Sequence, residues 1–97
     1  MNIQGDKNRD KKAYVYIVKC SDETLYCGWT FNLIQRIIAH NSGKGAKYTR
    51  SRLPVTVVYW EEYDIKSDAM KREYQIKQLN RKEKLKLCRL FSYEKTN

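Results

Sequence analysis

The stretch YCGWTFNLIQRIIAH, residues 26–40, changes its hydrophobic period half way along. Tyr26-Cys27-Gly28-Trp29 reads as the end of a strand, since aromatic residues favour a pleated, half-buried surface. From Phe31 onward the apolar residues Phe31, Ile34, Ile37 and Ile38 recur at helical spacing, with Thr30 or Asn32 as the candidate N-cap. A helix over about 31–40 is therefore expected, with those four side chains as its buried stripe. Arg36 and His40 fall one turn apart on the other side. Either that face is simply solvated, or the two residues belong to a site that handles phosphate.

Working outward, Ala13-Tyr14-Val15-Tyr16-Ile17-Val18 is apolar on both pleat faces up to Lys19, the pattern of a central strand. Ser21-Asp22-Glu23-Thr24 forms a turn, so this strand and Leu25–Trp29 make a hairpin. Residues 41–53 read as a loop with Gly43, Gly45 and the basic residues Lys44, Lys47, Arg50 and Arg52, closed by Pro54. Residues 55–60 are the third strand. Ser67 is the expected cap of a second helix running to about Leu79. Asn80-Arg81-Lys82-Glu83 resembles a capping box opening a third, with Leu85, Cys88 and Leu90 as packing residues. The order is β-β-α-β-α-α, an α+β fold with a small three-stranded antiparallel sheet flanked by helices. Residues 1–12 and 92–97 are expected as polar tails around one domain, 13–91.

Charge narrows the function. Among 97 residues, 20 Lys and Arg against 11 Asp and Glu give a net charge of +9. A cationic surface of this kind gains affinity for polyanions by releasing their counterions, which favours nucleic acid, although small basic proteins without a specific ligand share the composition. Three cysteines, Cys20, Cys27 and Cys88, contain no CxxC pair, which argues against a disulfide framework or a zinc knuckle and for free thiols in a reducing cytoplasm. MNIQGDKNRDKK lacks the apolar core of a secretory signal, and no apolar run is long enough to span a bilayer. A cytoplasmic monomer without a membrane partner is expected.

The second helix carries an anomaly. Ala69, Glu73 and Ile76 stack at i, i+4 and i+7, so Glu73 sits within the expected apolar stripe between Met70 and Leu79. A buried carboxylate is costly unless it is paired, protonated or bound to a metal. A salt bridge to a neighbouring base satisfies it; so does a hard divalent cation such as Mg²⁺.

With these positions in view, the chain resembles the GIY-YIG nuclease superfamily, whose two short tyrosine-glycine motifs lie on neighbouring strands. Tyr14-Val15-Tyr16 stands for the first motif and Tyr26-Cys27-Gly28 for the second; Arg36 and His40 follow on one helix and Glu73 on a later one. NSGKGAKYTRSRLPV at 41–55 and REYQIKQLNRKEK at 72–84 make it most similar to small stand-alone bacterial members, over about residues 13–90. Tyr14 replaces the glycine of the first motif, Cys27 the isoleucine of the second, and Trp29 stands where some relatives are basic.

The resemblance implies a DNA endonuclease with one divalent ion, Mg²⁺ or Mn²⁺, acting on branched, nicked or single-stranded DNA, with RNA left open. A catalytically weak nucleic-acid-binding module is the alternative. By the same resemblance, Tyr16 is the general base or water-orienting group, and Tyr26 hydrogen-bonds the nucleophile or a phosphate oxygen. Arg36 neutralises charge on the phosphorane, His40 assists proton transfer or holds phosphate, and Glu73 binds the metal. A phenol with a pKa near 10 needs a nearby cation to serve as a base at neutral pH. Lys44, Lys47, Tyr48 and Arg50 either track a sugar-phosphate backbone, with Tyr48 stacking on a base, or belong to a solvated loop. Asn80 is better explained as a cap than as a site residue, and Tyr59, Trp60 and Tyr63 as packing. One geometric condition remains open: Tyr16 and Tyr26 share a sheet face only with the right hairpin parity or a correcting bulge.

Overall fold

The computed structural model describes residues 11–96, with side chains through residue 92. The elements are β1 (Ala13–Lys19), β2 (Leu25–Thr30), α1 (Leu33–Asn41), α2 (Lys47–Arg50), β3 (Thr56–Tyr63), α3 (Lys66–Gln78) and α4 (Arg81–Thr96). The three strands form an antiparallel sheet in the order β2-β1-β3, so β1 is central as its two-sided apolar pattern requires. Its side chains from Ala13 to Val18 are buried, apart from a half-buried Tyr14. A register shift between Ile17 and Val18 kinks the pairing with β3. Most of the expected N-terminal tail, residues 1–10, lies outside the described residues.

The strands' alternation sends two sets of side chains to two faces. Val15, Ile17, Cys27 and Tyr59 join Ala69 and Ile76 of α3 and the half-buried Leu87, Cys88 and Phe91 of α4. Tyr16, Val18, Cys20 and Val55 pack with Tyr26, Leu33, Ile37 and Trp60 on the side of α1. On the α3 side Glu61 accepts from Arg72 Nε at 2.9 Å and from the hydroxyls of Tyr59 and Tyr63. Burial works to raise its pKa, but the Arg72 and tyrosine bonds prevail and hold it below the usual carboxylate range. Tyr59 and Tyr63 are thus packing residues, as expected.

Helix ends follow local rules with two corrections. Asn32 caps α1 by accepting from Gln35 N at 3.1 Å. The capping box of α4 is present in both directions, Glu83 N to Asn80 Oδ1 and Asn80 N to Glu83 Oε1, each 2.9 Å. Asn80 is therefore a cap. Ser67 is not one: α3 begins at Lys66 after Ile65, without a side-chain cap bond. Nor does the chain leave the helix at 92, because α4 continues through Thr96, with neither Gly nor Pro from Arg81 on to stop it. In α4 the inward residues are the adjacent Leu87 and Cys88 and, one turn on, Phe91, whereas Leu85 and Leu90 face solvent.

The largest difference concerns α1. Ile34 is 72% and Ile38 54% exposed, while Leu33, Arg36 and Ile37 are half-buried and His40 is fully buried. The helix has docked through Leu33, Arg36, Ile37 and His40, a face rotated from the expected stripe so that two of its four inward side chains are polar. Beneath it the sheet presents the Tyr16 hydroxyl, a buried group that an apolar helix face would leave unpaired at a cost of about 1–3 kcal/mol. The isoleucines set aside in this way join Phe31, Tyr14, Val57 and Trp60 along an open apolar groove.

A second difference is α2, a four-residue helix inside the expected loop. Its base is tied down by Asn41, which donates from Nδ2 to Val55 O at 3.0 Å and accepts from Val55 N at 2.7 Å. This pair imitates a strand ladder and fastens the end of α1 to the entry of β3, so residues 42–54 return across the end of α1.

Candidate active site

Hairpin register settles whether the two tyrosines meet. Tyr16 pairs with Gly28 and Val18 with Tyr26, so Tyr16 and Tyr26 project from the same face without any bulge between β1 and β2. Gly28 leaves the space into which Tyr16 leans. A Cβ at position 28 would lie 2.7 Å from Tyr16 Oη and 2.9 Å from its Cζ. The phenol therefore crosses the edge strand with its hydroxyl over the glycine.

That hydroxyl is held by α1. Tyr16 Oη lies 2.8 Å from His40 Nε2 and accepts from Arg36 Nε at 3.4 Å. Arg36 and His40 reach it together because they are one helical turn apart. Burial pushes the Tyr16 phenol up to about 12, against the pull of the Arg36 guanidinium. Burial, and then the same guanidinium, hold His40 below its ordinary value, so it is a neutral imidazole. On its far side His40 Nδ1 meets Thr49 Oγ1 at 2.9 Å. Gly45 presses on the ring from the returning loop: a Cβ there would stand 2.3 Å from Nδ1 and 2.8 Å from His40 Cα.

Tyr26 completes the group, edge-on to His40 at 5.6 Å and stacked with Tyr48 at 5.9 Å. Tyr26 and Arg36 are half-buried, whereas Tyr16 is only 1% exposed. An approaching ligand meets Tyr26 and Arg36 first. Arg52 lies 3.9 Å over the Tyr48 ring, and its own Nε donates to Asp22 Oδ2 at 3.1 Å. The ring is thus already engaged within the protein, so a base stacking on it would compete with Arg52. Lys44, Lys47 and Arg50 are exposed on the same returning segment.

Glu73 comes from the other side. It lies on α3 between the buried Ala69 and Ile76, its carboxylate is 3.5 Å from Lys77 Nζ, and its charge helps burial to raise the Cys27 thiol to about 12. Cys27 points to the face opposite Tyr26. Glu73 and the Tyr16 group therefore flank β2 from its two sides, and β2 is an edge strand with no neighbour beyond it among the described residues. A small pocket beside the hairpin turn is lined by Thr24, Leu25, Tyr48, Arg81 and Lys84, and of the gathered residues only Tyr48 reaches it. Among the described residues no cluster of three or more His, Cys, Asp or Glu is grouped to hold a metal ion. One carboxylate does fit a hard ion that keeps most of its waters and takes substrate oxygens for the rest.

Sequence reasoning selected Tyr16, Tyr26, Arg36, His40 and Tyr48, which the fold gathers. It missed Thr49 and Gly45, the residues that grip His40. Gly45 carried a signal, as one of two glycines bracketing a lysine; a lone threonine among bases carried none.

The family model described as the GIY-YIG catalytic domain matches residues 12–86. A UPF0213 protein of Staphylococcus haemolyticus is 58% identical over 76 residues, covering 78% of this chain and 93% of that one. Another, from Clostridium perfringens, is 56% identical over 84 residues, 87% of this chain and 90% of that one. Among solved structures, the solution structure of a UPF0213 protein from Bacillus halodurans is 44% identical, with a TM-score of 0.54, over 81% of this chain and 84% of that one. A protein from E. faecalis, also solved by NMR, is 38% identical with a TM-score of 0.58, over 86% of this chain and 88% of that one. The chain belongs to the GIY-YIG family.

Proposed function

We propose that this GIY-YIG family member is a phosphodiester hydrolase acting on DNA, its catalytic centre lying along the free edge of β2. One observation carries the reading: Tyr16, Arg36 and His40 share hydrogen bonds on one side of Gly28, with Tyr26 against the same imidazole. A phosphodiester reaching Arg36 meets a planar cation that grips two oxygens, where lysine offers a point charge. Charge growing on the phosphorane is thereby met by a donor already in place. Tyr26, half-buried beside it, hydrogen-bonds a phosphate oxygen or the incoming water. Tyr16 orients that water and removes its proton.

In this reading Glu73 would hold the divalent ion, Mg²⁺ or Mn²⁺, which when bound would add charge neutralisation at the phosphate. Lys44, Lys47 and Arg50, on the segment that crosses the end of α1, are the candidates for backbone phosphates outside the scissile one.

A second reading, a nucleic-acid-binding module with weak catalysis, draws on the depth of Tyr16. A phenol held near 12 and 1% exposed contributes little phenolate at neutral pH. Supercoiled plasmid with Mg²⁺ separates the two. Wild type is expected to nick it, and Arg36→Ala and Glu73→Ala to abolish nicking while still binding DNA. Binding without nicking by all three proteins would leave only the binding module.

A further inference from the structure

We propose that Thr49 is a positioning residue that holds His40 as the Nδ1–H tautomer, leaving Nε2 free to take the phenolic proton of Tyr16. The inference rests on the hydrolase reading of the same site and extends it to a residue outside the tyrosine motifs.

Proton counting selects this tautomer. Thr49 has a single hydroxyl hydrogen, and its Oγ1 donates it to Ala46 O at 3.0 Å. At His40 Nδ1, 2.9 Å away, Thr49 therefore accepts, which puts the imidazole hydrogen on Nδ1. Nε2 is then a lone pair, and Tyr16 Oη, 2.8 Å away, donates to it while accepting from Arg36 Nε. Every buried polar atom has a partner in this arrangement, and no buried side-chain nitrogen or oxygen among the described residues is left unsatisfied. The opposite tautomer places two donors, His40 Nε2–H and Arg36 Nε–H, on the phenol oxygen and leaves the Tyr16 hydrogen without an acceptor in a residue 1% exposed.

The returning loop is shaped around this function. Gly45 allows the backbone to lie against the imidazole, and Thr49 sits at 0% exposure in a helix of only four residues. A histidine that merely filled space would need neither. In the reaction, the phenolic hydrogen moves to Nε2 as the attacking water loses its proton to the Tyr16 oxygen. The water oxygen bonds to phosphorus, the bond from phosphorus to the leaving oxygen breaks, and that oxygen takes a proton from solvent. His40 then returns its extra proton through Tyr16 to solvent, restoring the starting state. The groups facing His40 are Tyr16 from β1, Tyr26 from β2, Arg36 from its own helix and Thr49 from α2.

His40 is the only histidine in the chain, so its ring nitrogens give an unambiguous signal in long-range ¹H–¹⁵N NMR spectra. Wild type and Tyr16→Phe are both expected to show the hydrogen on Nδ1, because Thr49 rather than the phenol dictates it. Thr49→Val, which removes the acceptor at constant shape, leaves the Nδ1 hydrogen unpaired and is expected to turn the single tautomer into a mixture with Nε2–H, slowing plasmid nicking about ten-fold, less than the roughly hundred-fold or more that losing a general base outright costs. Thr49→Ser is expected to restore both. A hydrogen on Nε2 in the wild type, or in Tyr16→Phe, overturns the inference even if Thr49→Val does not fold. So does Thr49→Val nicking at the wild-type rate. A wild-type protein that binds DNA without cutting it sinks the hydrolase reading instead, and with it the catalytic use of the tautomer.

Discussion

Gly28→Ala probes the centre of the site through packing alone. In an ordinary strand the substitution is mildly favourable, since alanine restricts the unfolded chain and gains about 0.5–1 kcal/mol over glycine. Here the added methyl meets Tyr16 Oη at 2.7 Å and Cζ at 2.9 Å. Tyr16 cannot swing away freely: it is buried and its hydroxyl is bonded to His40. Overpacking of this kind costs about 1–3 kcal/mol. Loss of the hydroxyl's bond to His40 adds about 1 kcal/mol net. The balance is a destabilisation of about 1–3 kcal/mol. For a domain of this size that lowers Tm by at least about 4 °C. Guanidinium unfolding followed by circular dichroism reads it as a lower midpoint at constant slope. A double-mutant cycle with Tyr16→Phe sharpens the test, because removing Oη deletes the closest contact while the one at Cζ stays. The two substitutions should then be non-additive by at least about 0.5 kcal/mol, with Gly28→Ala costing less in the Tyr16→Phe background. A Gly28→Ala protein as stable as wild type, or strict additivity in the cycle, would refute the claim that Tyr16 leans over this glycine.

Two further outcomes follow from the same packing. Ile34→Gln should change stability by no more than about 0.5 kcal/mol, since Ile34 is 72% exposed, whereas Ile76→Ala, at 0%, should cost about 2–5 kcal/mol; similar losses from both in chemical denaturation would restore the isoleucine stripe to the core. The depressed His40 value means that the unfolded chain takes up its proton before the folded one, so stability is constant above the ordinary value of about 6.5 and falls as pH drops below it. Denaturation midpoints measured from pH 7.5 to 5 should show that fall in wild type and lose most of it in His40→Gln; a flat wild-type curve contradicts the burial of a neutral imidazole.

What could be read in the chain was what nearest neighbours decide. The apolar run over 13–18, unbroken on both pleat faces, made β1 central, Asn80 and Glu83 formed their reciprocal cap, and the period change after Trp29 placed a helix behind the hairpin. The residues of the two tyrosine motifs, with Arg36 and His40, were legible because their order along the chain is itself the family pattern. Three matters were not legible. Tyr16 and Tyr26 share a face through a register set by the whole hairpin, not by either strand. Glu73 lies on the Cys27 side of β2, a consequence of where α3 packs. And α1 turned Ile34 and Ile38 outward. Periodicity reports that a helix has two unlike sides but not which one the sheet will accept. That choice depended on a buried phenol from a strand fifteen or more residues away, whose hydroxyl needed a nitrogen and found it on His40, itself held by a threonine from the loop beyond.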